Sequence, residues 1–241
     1  SAGAGAPPAF EDAAGGVTFK EGGTNFSNSL LVGTSGTGTL SSATGNTGVG
    51  TSVLAALTSG DRNTAIGIES MNDITTGSDN VAVGNNSLDE TTTGTNNTAV
   101  GGYSLSENTT ASGNTAVGNV SLYCNTTGAN NVAVGFCSLR ANTTAADSTA
   151  MGAESLKDHT TGGNNTAYGA YSAANTTTGQ GNVALGRAAL ETNTTGNYNV
   201  AVGQSALLAN TGSYNTATGF NASCKTTTGE ENTAFGYEAG K

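Results

Sequence analysis

A five-residue phrase, Asn-(Thr/Val)-Ala-(apolar)-Gly, recurs along the chain at a spacing of 17 residues. One interval, from Gly203 to Gly219, is 16 residues, and Gly33 closes a degenerate earlier copy 17 residues before Gly50. Thirteen copies in register predict a repeat architecture in which each rung packs on its neighbours. The remaining rung glycines, which close each phrase, are Gly67, Gly84, Gly101, Gly118, Gly135, Gly152, Gly169, Gly186 and Gly236.

The composition excludes several classes of protein. The 241 residues include 41 Thr, 37 Gly and 28 Asn, and these poor helix formers argue against long amphipathic helices. Seven Lys and Arg against 17 Asp and Glu exclude a strongly basic nucleic-acid binder. No apolar run approaches the roughly 18 residues of a membrane-spanning helix. Such a polar chain needs an architecture that is stable with a thin core.

Each repeat predicts one rung of a β-solenoid. In Asn80–Gly84, alternation places Val81 and Val83 on one face and Ala82 on the other. The Ser-Leu segment that follows predicts a second, shorter strand whose Leu meets the Val, and Asn-Thr-Thr-Gly predicts a turn. The repeated Asn predicts a ladder of stacked side-chain amides. The expected fold is all-β, a parallel β-solenoid or β-roll of about 13 rungs of 17 residues, on the order of 60 Å long.

Alanine occupies one position in eleven consecutive copies, from Ala65 to Ala234. A solvated face would vary between polar residues, so a column of small residues predicts close approach by a second layer. That layer is either the other half of the same coil or a neighbouring chain. We favour neighbouring chains, because one Leu and one Val per rung already fill a thin coil. Ala133 is therefore a predicted assembly residue, and the chain is expected to be trimeric or otherwise self-associating.

The repeat resembles that of known fibre proteins. Asn-Thr-Ala-Val-Gly followed by Ser-Leu and Asn-Thr-Thr-Gly, as in residues 114–128, resembles repeats of phage and giant-virus tail-fibre proteins and of bacterial fibre-like surface proteins. It is more distantly similar to the head β-roll of trimeric autotransporter adhesins, whose repeats are shorter. The resemblance covers residues 29–241. It implies a trimeric β-solenoid shaft without catalytic residues, located outside the cell, on a cell surface or on a virion.

The chain divides into an N-terminal arm and cap, residues 1–28, and a repetitive shaft, residues 29–241. The phrase that contains Ala234, Phe235 and Gly236 is a complete strand with no rung after it. An open strand of this kind invites edge pairing, and a head-to-tail contact builds filaments. We therefore expect chains to stack end to end, with residues 1–28 lying across the junction.

Four acidic residues form a candidate calcium site. Asp73, Glu90 and Glu107 share one register position in consecutive rungs, and Asp89 is adjacent to Glu90. Stacked carboxylates repel one another unless a cation lies between them, and calcium favours oxygen ligands. A solvated turn explains the same residues, and it is the favoured interpretation. No other cofactor is expected.

Catalytic motifs are absent from the sequence: it contains no nucleophile elbow, P-loop, HExxH or paired CxxC, and an enzyme is not expected. The single histidine, His159, is interpreted as a turn substitution, because equivalent positions hold Asn125, Asn142 and Asn193. The cysteines are interpreted as small buried residues, with a free thiol or an interchain bridge as the alternatives. They are Cys124, Cys137 and Cys224.

The functional expectation is a structural subunit of an extracellular or virion fibre that associates with itself. The alternative is a receptor-binding or glycan-binding adhesin or fibre tip. A third possibility is an ice-binding solenoid, suggested by threonine pairs such as Thr126 and Thr127, but adjacent residues face opposite ways and give one rank per face.

Asn-x-Thr sequons are explained by turn chemistry, although a glycosylating host could use them. They include Asn108, Asn125, Asn142, Asn175 and Asn193.

Overall fold

The computed structural model describes residues 18–21, 26–33 and 41–241, and these contain strands and turns but no helix. Most of the N-terminal arm expected from the sequence lies outside the described residues. The strands are β1 Thr18–Glu21, β2 Phe26–Ser27, β3 Leu30–Gly33, β4 Ala43–Thr44, β5 Thr47–Val49, β6 Thr64–Ile66, β7 Val81–Val83, β8 Thr98–Val100, β9 Thr115–Val117, β10 Val132–Val134, β11 Thr149–Met151, β12 Thr166–Tyr168, β13 Val183–Leu185, β14 Val200–Val202, β15 Thr216–Thr218 and β16 Thr233–Phe235.

Thirteen strands, β3 and β5–β16, form one parallel sheet whose order follows the chain. Neighbouring strands pair in register, so that Ala99 of β8 lies opposite Ala116 of β9. The fold is therefore a parallel β-solenoid of about 12 turns with 17-residue spacing, which confirms the predicted fold class. At the N-terminal edge of this sheet, β1 pairs antiparallel with β3. Strands β2 and β4 form a separate two-stranded sheet.

The alanine column faces the inside of the coil, which corrects the expected arrangement of the strand. Ala133 is 0% exposed and belongs to one continuous core cluster with the leucines of the turn segments, such as Leu139. The flanking Val132 and Val134 point outward and are half-buried. The second layer behind Ala133 is thus the other half of the same coil and not a neighbouring chain. Alanine is required because the leucine column fills the rest of this thin interior.

The predicted second strand of each rung is a turn segment. Val120 and Leu122, two and four residues after Gly118, have φ angles of 52° and 49°, which are left-handed and not extended. The segment still bonds from rung to rung, with the Leu122 N–H donating to the Ser138 carbonyl at 3.0 Å. Each regular rung therefore contains one three-residue strand, and its other wall is built from hydrogen-bonded turns.

The single 16-residue rung keeps the strand register. Ala201 of β14 lies opposite Ala217 of β15, as in the 17-residue rungs. The missing residue is absorbed in the turn around Gly212, whose carbonyl accepts hydrogen bonds from Nδ2 of both Asn199 and Asn210 at 2.9 Å. The register is thus fixed by the sheet and by buried amides, and the turn takes up the change in length.

Candidate functional site

The residues on either side of each buried alanine form one continuous surface, which we call the outer sheet face. It consists of the first and third residues of every strand from β5 to β16. None of these positions carries a charged residue, although the chain has a formal net charge of −10. They are Thr47, Val49, Thr64, Ile66, Val81, Val83, Thr98, Val100, Thr115, Val117, Val132, Val134, Thr149, Met151, Thr166, Tyr168, Val183, Leu185, Val200, Val202, Thr216, Thr218, Thr233 and Phe235.

Many apolar side chains of the outer sheet face are exposed. Val100 is 37% exposed, Tyr168 is 53% exposed and Phe235 is 82% exposed. Valine and threonine predominate because β-branched side chains suit a pleated surface. A long apolar patch without charge is uncommon on soluble proteins and marks an interaction site. This face is therefore the candidate functional site of the chain.

Of the predicted assembly residues, only some are available for contact with another molecule. Ala133 is enclosed by its own chain, and Ala234 is also buried. Phe235 is exposed on the outer sheet face, and Gly236 follows it with a φ of 126°. Their strand β16 pairs with β15 alone among the described strands. The expected end-to-end junction at this strand stays a prediction.

The asparagine column four residues before each rung glycine forms the predicted amide ladder. The Asn97 backbone N–H and Nδ2 both donate to Asn80 Oδ1, at 2.9 and 3.1 Å. Asn97 Nδ2 also donates to the Ala111 carbonyl at 2.9 Å. Asn80 makes the same pair of bonds to Asn63. These amides are fully buried, so a slip in register would leave several of them unpaired.

A second buried amide ladder lies seven residues after the rung glycine, where the sequence predicted turn chemistry. Asn125 Nδ2 donates to Asn108 Oδ1 at 3.0 Å, and Asn142 Nδ2 donates to Asn125 Oδ1 at 2.7 Å. These three residues and Asn193 are 0% exposed. Four of the five sequons considered above are therefore closed to a glycosyltransferase in the folded chain, whereas Asn175 is half-buried.

His159 interrupts this second ladder. It is fully buried at a position where Asn142 stands one rung earlier and Thr176 one rung later. Among the described residues, His159 Nδ1, Asn142 Oδ1 and Thr176 Oγ1 have no hydrogen-bond partner. A buried polar atom left without a partner costs about 1–3 kcal/mol. The three unpaired atoms fall in consecutive rungs, so the defect is concentrated in one part of the rod.

Burial lowers the pKa of His159 to about 4, and a backbone hydrogen bond with Gly162 opposes the shift. The folded chain therefore binds this proton more weakly than the unfolded chain does. The contribution of this shift to the free energy of unfolding is fully present above the unfolded pKa of about 6.5. It is lost as the pH falls through about 4. A difference of this size corresponds to roughly 3 kcal/mol.

We expect His159→Asn to raise the melting temperature and to weaken its dependence on pH between about 6.5 and 4. An asparagine restores the amide ladder, with a gain of about 1–2 kcal/mol at neutral pH and more in acid. Thermal melts monitored by circular dichroism at several pH values measure both effects. Asp158→Asn, which removes the adjacent half-buried carboxylate, is the control and should change neither. Equal pH profiles for wild type and His159→Asn would contradict this interpretation.

The threonine pairs have two different roles. Thr109 Oγ1 donates to the Thr126 carbonyl at 3.1 Å, and Thr126 Oγ1 donates to the Thr143 carbonyl at 3.0 Å. The first threonine of each pair thus stabilises the stack. The second, represented by Thr127, is exposed. The threonine pairs therefore present one exposed column of threonine side chains along the rod.

The acidic residues do not form a metal centre. Within residues 18–21, 26–33 and 41–241, no group of three or more His, Cys, Asp or Glu side chains is placed to hold a metal ion. Asp89 accepts a hydrogen bond from Asn86 Nδ2 at 3.1 Å, and burial raises the pKa of its carboxyl. Of the remaining candidates, Asp73 and Glu90 are exposed turn residues and Glu107 is a half-buried turn residue.

The three cysteines are free thiols. Cys137 is buried, whereas Cys124 and Cys224 are half-buried. Burial raises the pKa of both the Cys124 and Cys137 thiols, so they are less nucleophilic than an unperturbed cysteine.

Two stacked aromatic pairs were missed from the sequence. Tyr198 and Tyr214 stack with ring centroids 5.6 Å apart and an interplanar angle of 18°, and Phe220 and Tyr237 stack at 5.6 Å and 10°. The signal was available, because Phe220 and Tyr237 each follow a rung glycine directly. In both pairs each ring covers one face of the other.

No family model matches this chain, and neither a curated protein nor a solved structure matches it. The resemblance to fibre repeats therefore rests on the sequence phrases and on the solenoid geometry. In the part of the chain that the structure describes, no helix is long and apolar enough to cross a membrane.

Proposed function

We propose that this chain is a structural subunit of an extracellular or virion fibre, in which solenoid rods associate with one another. The outer sheet face carries the proposal, because it is uncharged over twelve consecutive strands of an acidic chain. Isolated in water, such a surface exposes apolar area that association would bury. The extracellular location and the fibre context rest on the resemblance of the repeats.

The regular interior supports the same proposal. Asparagine amides, threonine hydroxyls and strand backbone all bond to the adjacent rung, as at Asn97, Thr109 and Thr115. Each rung thus offers the same hydrogen-bonding groups to the next rung, and this repetition is typical of an elongated structural element. The acidic balance also disfavours a nucleic-acid partner.

A receptor-binding or glycan-binding adhesin is the second candidate, and the exposed aromatic residues favour it. Tyr214 is 58% exposed and Tyr237 is 74% exposed. Sugars commonly bind on the open faces of aromatic rings. The stacking of Tyr214 on Tyr198 and of Tyr237 on Phe220 covers one face of each ring, so this support is weaker than that of the outer sheet face.

Electron microscopy of the negatively stained, purified chain tests the structural proposal. We expect rods on the order of 60 Å long that associate side by side or end to end. Analytical ultracentrifugation over a hundredfold range of concentration measures the association independently. Single rods that sediment as monomers at every concentration would contradict a self-associating subunit.

A further inference from the structure

Eight of the seventeen exposed large apolar residues among the described ones lie on the outer sheet face, and most of the others lie on the turns. Val49, Ile66, Val117 and Leu185 are all exposed there, in addition to the side chains described above. Within residues 41–241 the charged residues lie on the turn segments instead, as do the ion pairs that join Lys157 to its neighbours. The surface is thus an uncharged strip of 15 apolar side chains and nine threonines along one side of the rod.

The strip is large enough for a specific interface. Twelve strands at about 4.8 Å and three residues at about 3.3 Å give a strip of about 60 by 10 Å, or roughly 600 Å². Two copies would bury roughly 1,200 Å² together, which reaches the range of specific protein interfaces. The apolar part of the strip is smaller, because nine of the outward residues are threonine, but a patch of a few hundred Å² is often functional.

A second copy of the chain fits this strip better than an unrelated partner does. Its rungs repeat at the same spacing, so the side-chain ranks of two copies interdigitate along the whole length. The strip is a single face, and a single face that packs on itself forms an isologous contact with two-fold symmetry, which closes. The absence of charge means that neither copy desolvates an unpaired ion on contact.

The two columns of the strip select the relative direction of the two rods, because threonine predominates among the first strand residues and apolar side chains among the third. The bulkiest, Tyr168 and Phe235, lie in β12 and β16, in the C-terminal half of the strip. In an antiparallel pair β12 faces β9, with Val117, and β16 faces β5, with Val49. In a parallel pair the two-fold axis runs along the rods and exchanges the two columns, so that Tyr168 would face Thr166 of the other copy. The antiparallel pair keeps the columns in order and packs the apolar third residues on each other, so it buries more apolar surface against apolar surface than the parallel pair does.

We propose that two copies pair through the outer sheet face in antiparallel orientation, related by a two-fold axis. This inference rests on the proposed self-association. It specifies the surface that is buried, the number of copies and the relative direction of the two rods. The centre of the interface lies between β10 and β11, the middle two of the twelve strands.

The first test uses a charge placed on the strip. Val117→Lys puts two lysines into the pair, and we expect the dimer dissociation constant in analytical ultracentrifugation to rise about 100-fold. Thr110→Lys makes the same change of charge at an exposed turn threonine and should leave the constant unchanged. Unchanged circular dichroism of Val117→Lys shows that the rod itself is intact.

The second test reads the direction of the pair. With p-benzoylphenylalanine in place of Tyr168, irradiation of the antiparallel pair should crosslink to residues near Val117 of the other copy. Crosslinks near position 168 of the other copy would overturn the antiparallel arrangement. A wild-type trimer, or a Val117→Lys dimer as tight as wild type, would overturn the interface while leaving self-association in place. A wild-type monomer at all concentrations would overturn the interface and the proposed function together.

Discussion

Gly101→Ala should destabilise the rod by about 3 kcal/mol or more, because it combines backbone strain with a steric clash. Gly101 has a φ of 133°, a conformation that residues with a side chain rarely adopt. A Cβ at this position would lie 2.5 Å from the carbonyl oxygen of Gly118, in the adjacent rung. For a chain of this length, a melting temperature lower by about 6–12 °C is expected.

Gly102→Ala is the matched control, one residue further along the same rung. Its Cβ would approach the ends of the Asn85 and Asn119 side chains, which can move. The equivalent positions of neighbouring rungs already carry side chains. A melting temperature close to that of wild type is expected for Gly102→Ala. Equal melting temperatures for Gly101→Ala and Gly102→Ala would contradict a close approach of the rungs at Gly101.

Ala133→Leu should lower the stability of the single chain by about 3 kcal/mol through overpacking. Ala133 is 0% exposed between Ala116 and Ala150 of the adjacent strands, and leucines already occupy the facing side of the core. Since the contact lies within one chain, the melting temperature should fall even at concentrations where the protein is monomeric.

Ala129→Leu provides the control for this substitution, because Ala129 is a half-buried turn residue. Its effect should stay within about 0.5 kcal/mol. A melting temperature of Ala133→Leu equal to that of wild type, measured by calorimetry, would contradict the inward position of the alanine column.

The period of the repeat predicted most of the fold. Hydrogen bonding between identical positions follows directly from a fixed spacing, and the ladder at Asn80 and Asn97 was expected for that reason. Alternation established that alanine and valine face opposite ways, but it does not show which side is inside. The variety of residues could have decided this: the inward column stays alanine, while the outward one changes from Val134 to Met151 to Tyr168. Buried positions restrict side-chain volume, whereas exposed positions tolerate such changes.

The turn segment and the candidate site were harder to predict. Leucine is an unusual residue at positive φ, so the Ser-Leu segment indicated a strand. Tertiary packing overrides that preference, because Leu122 in a left-handed conformation points into the core. The outer sheet face could be recognised once the inward side was known. The sequence showed His159 as a break in the column of asparagines seven residues after the rung glycine. The free-energy cost of that break depends on burial, which only the structure shows.

The stacked rungs also determine how a rod of this kind responds to force. The hydrogen bonds between rungs run along the rod axis, so tension applied at the two ends passes through every rung interface in series. Elements in series fail at the weakest one, whatever the strength of the others. Within the part of the chain that the structure describes, the unpaired buried side-chain atoms lie in the rungs that contain Asn142, His159 and Thr176. Among the described rungs, these are therefore expected to fail first under tension, and acid weakens them further.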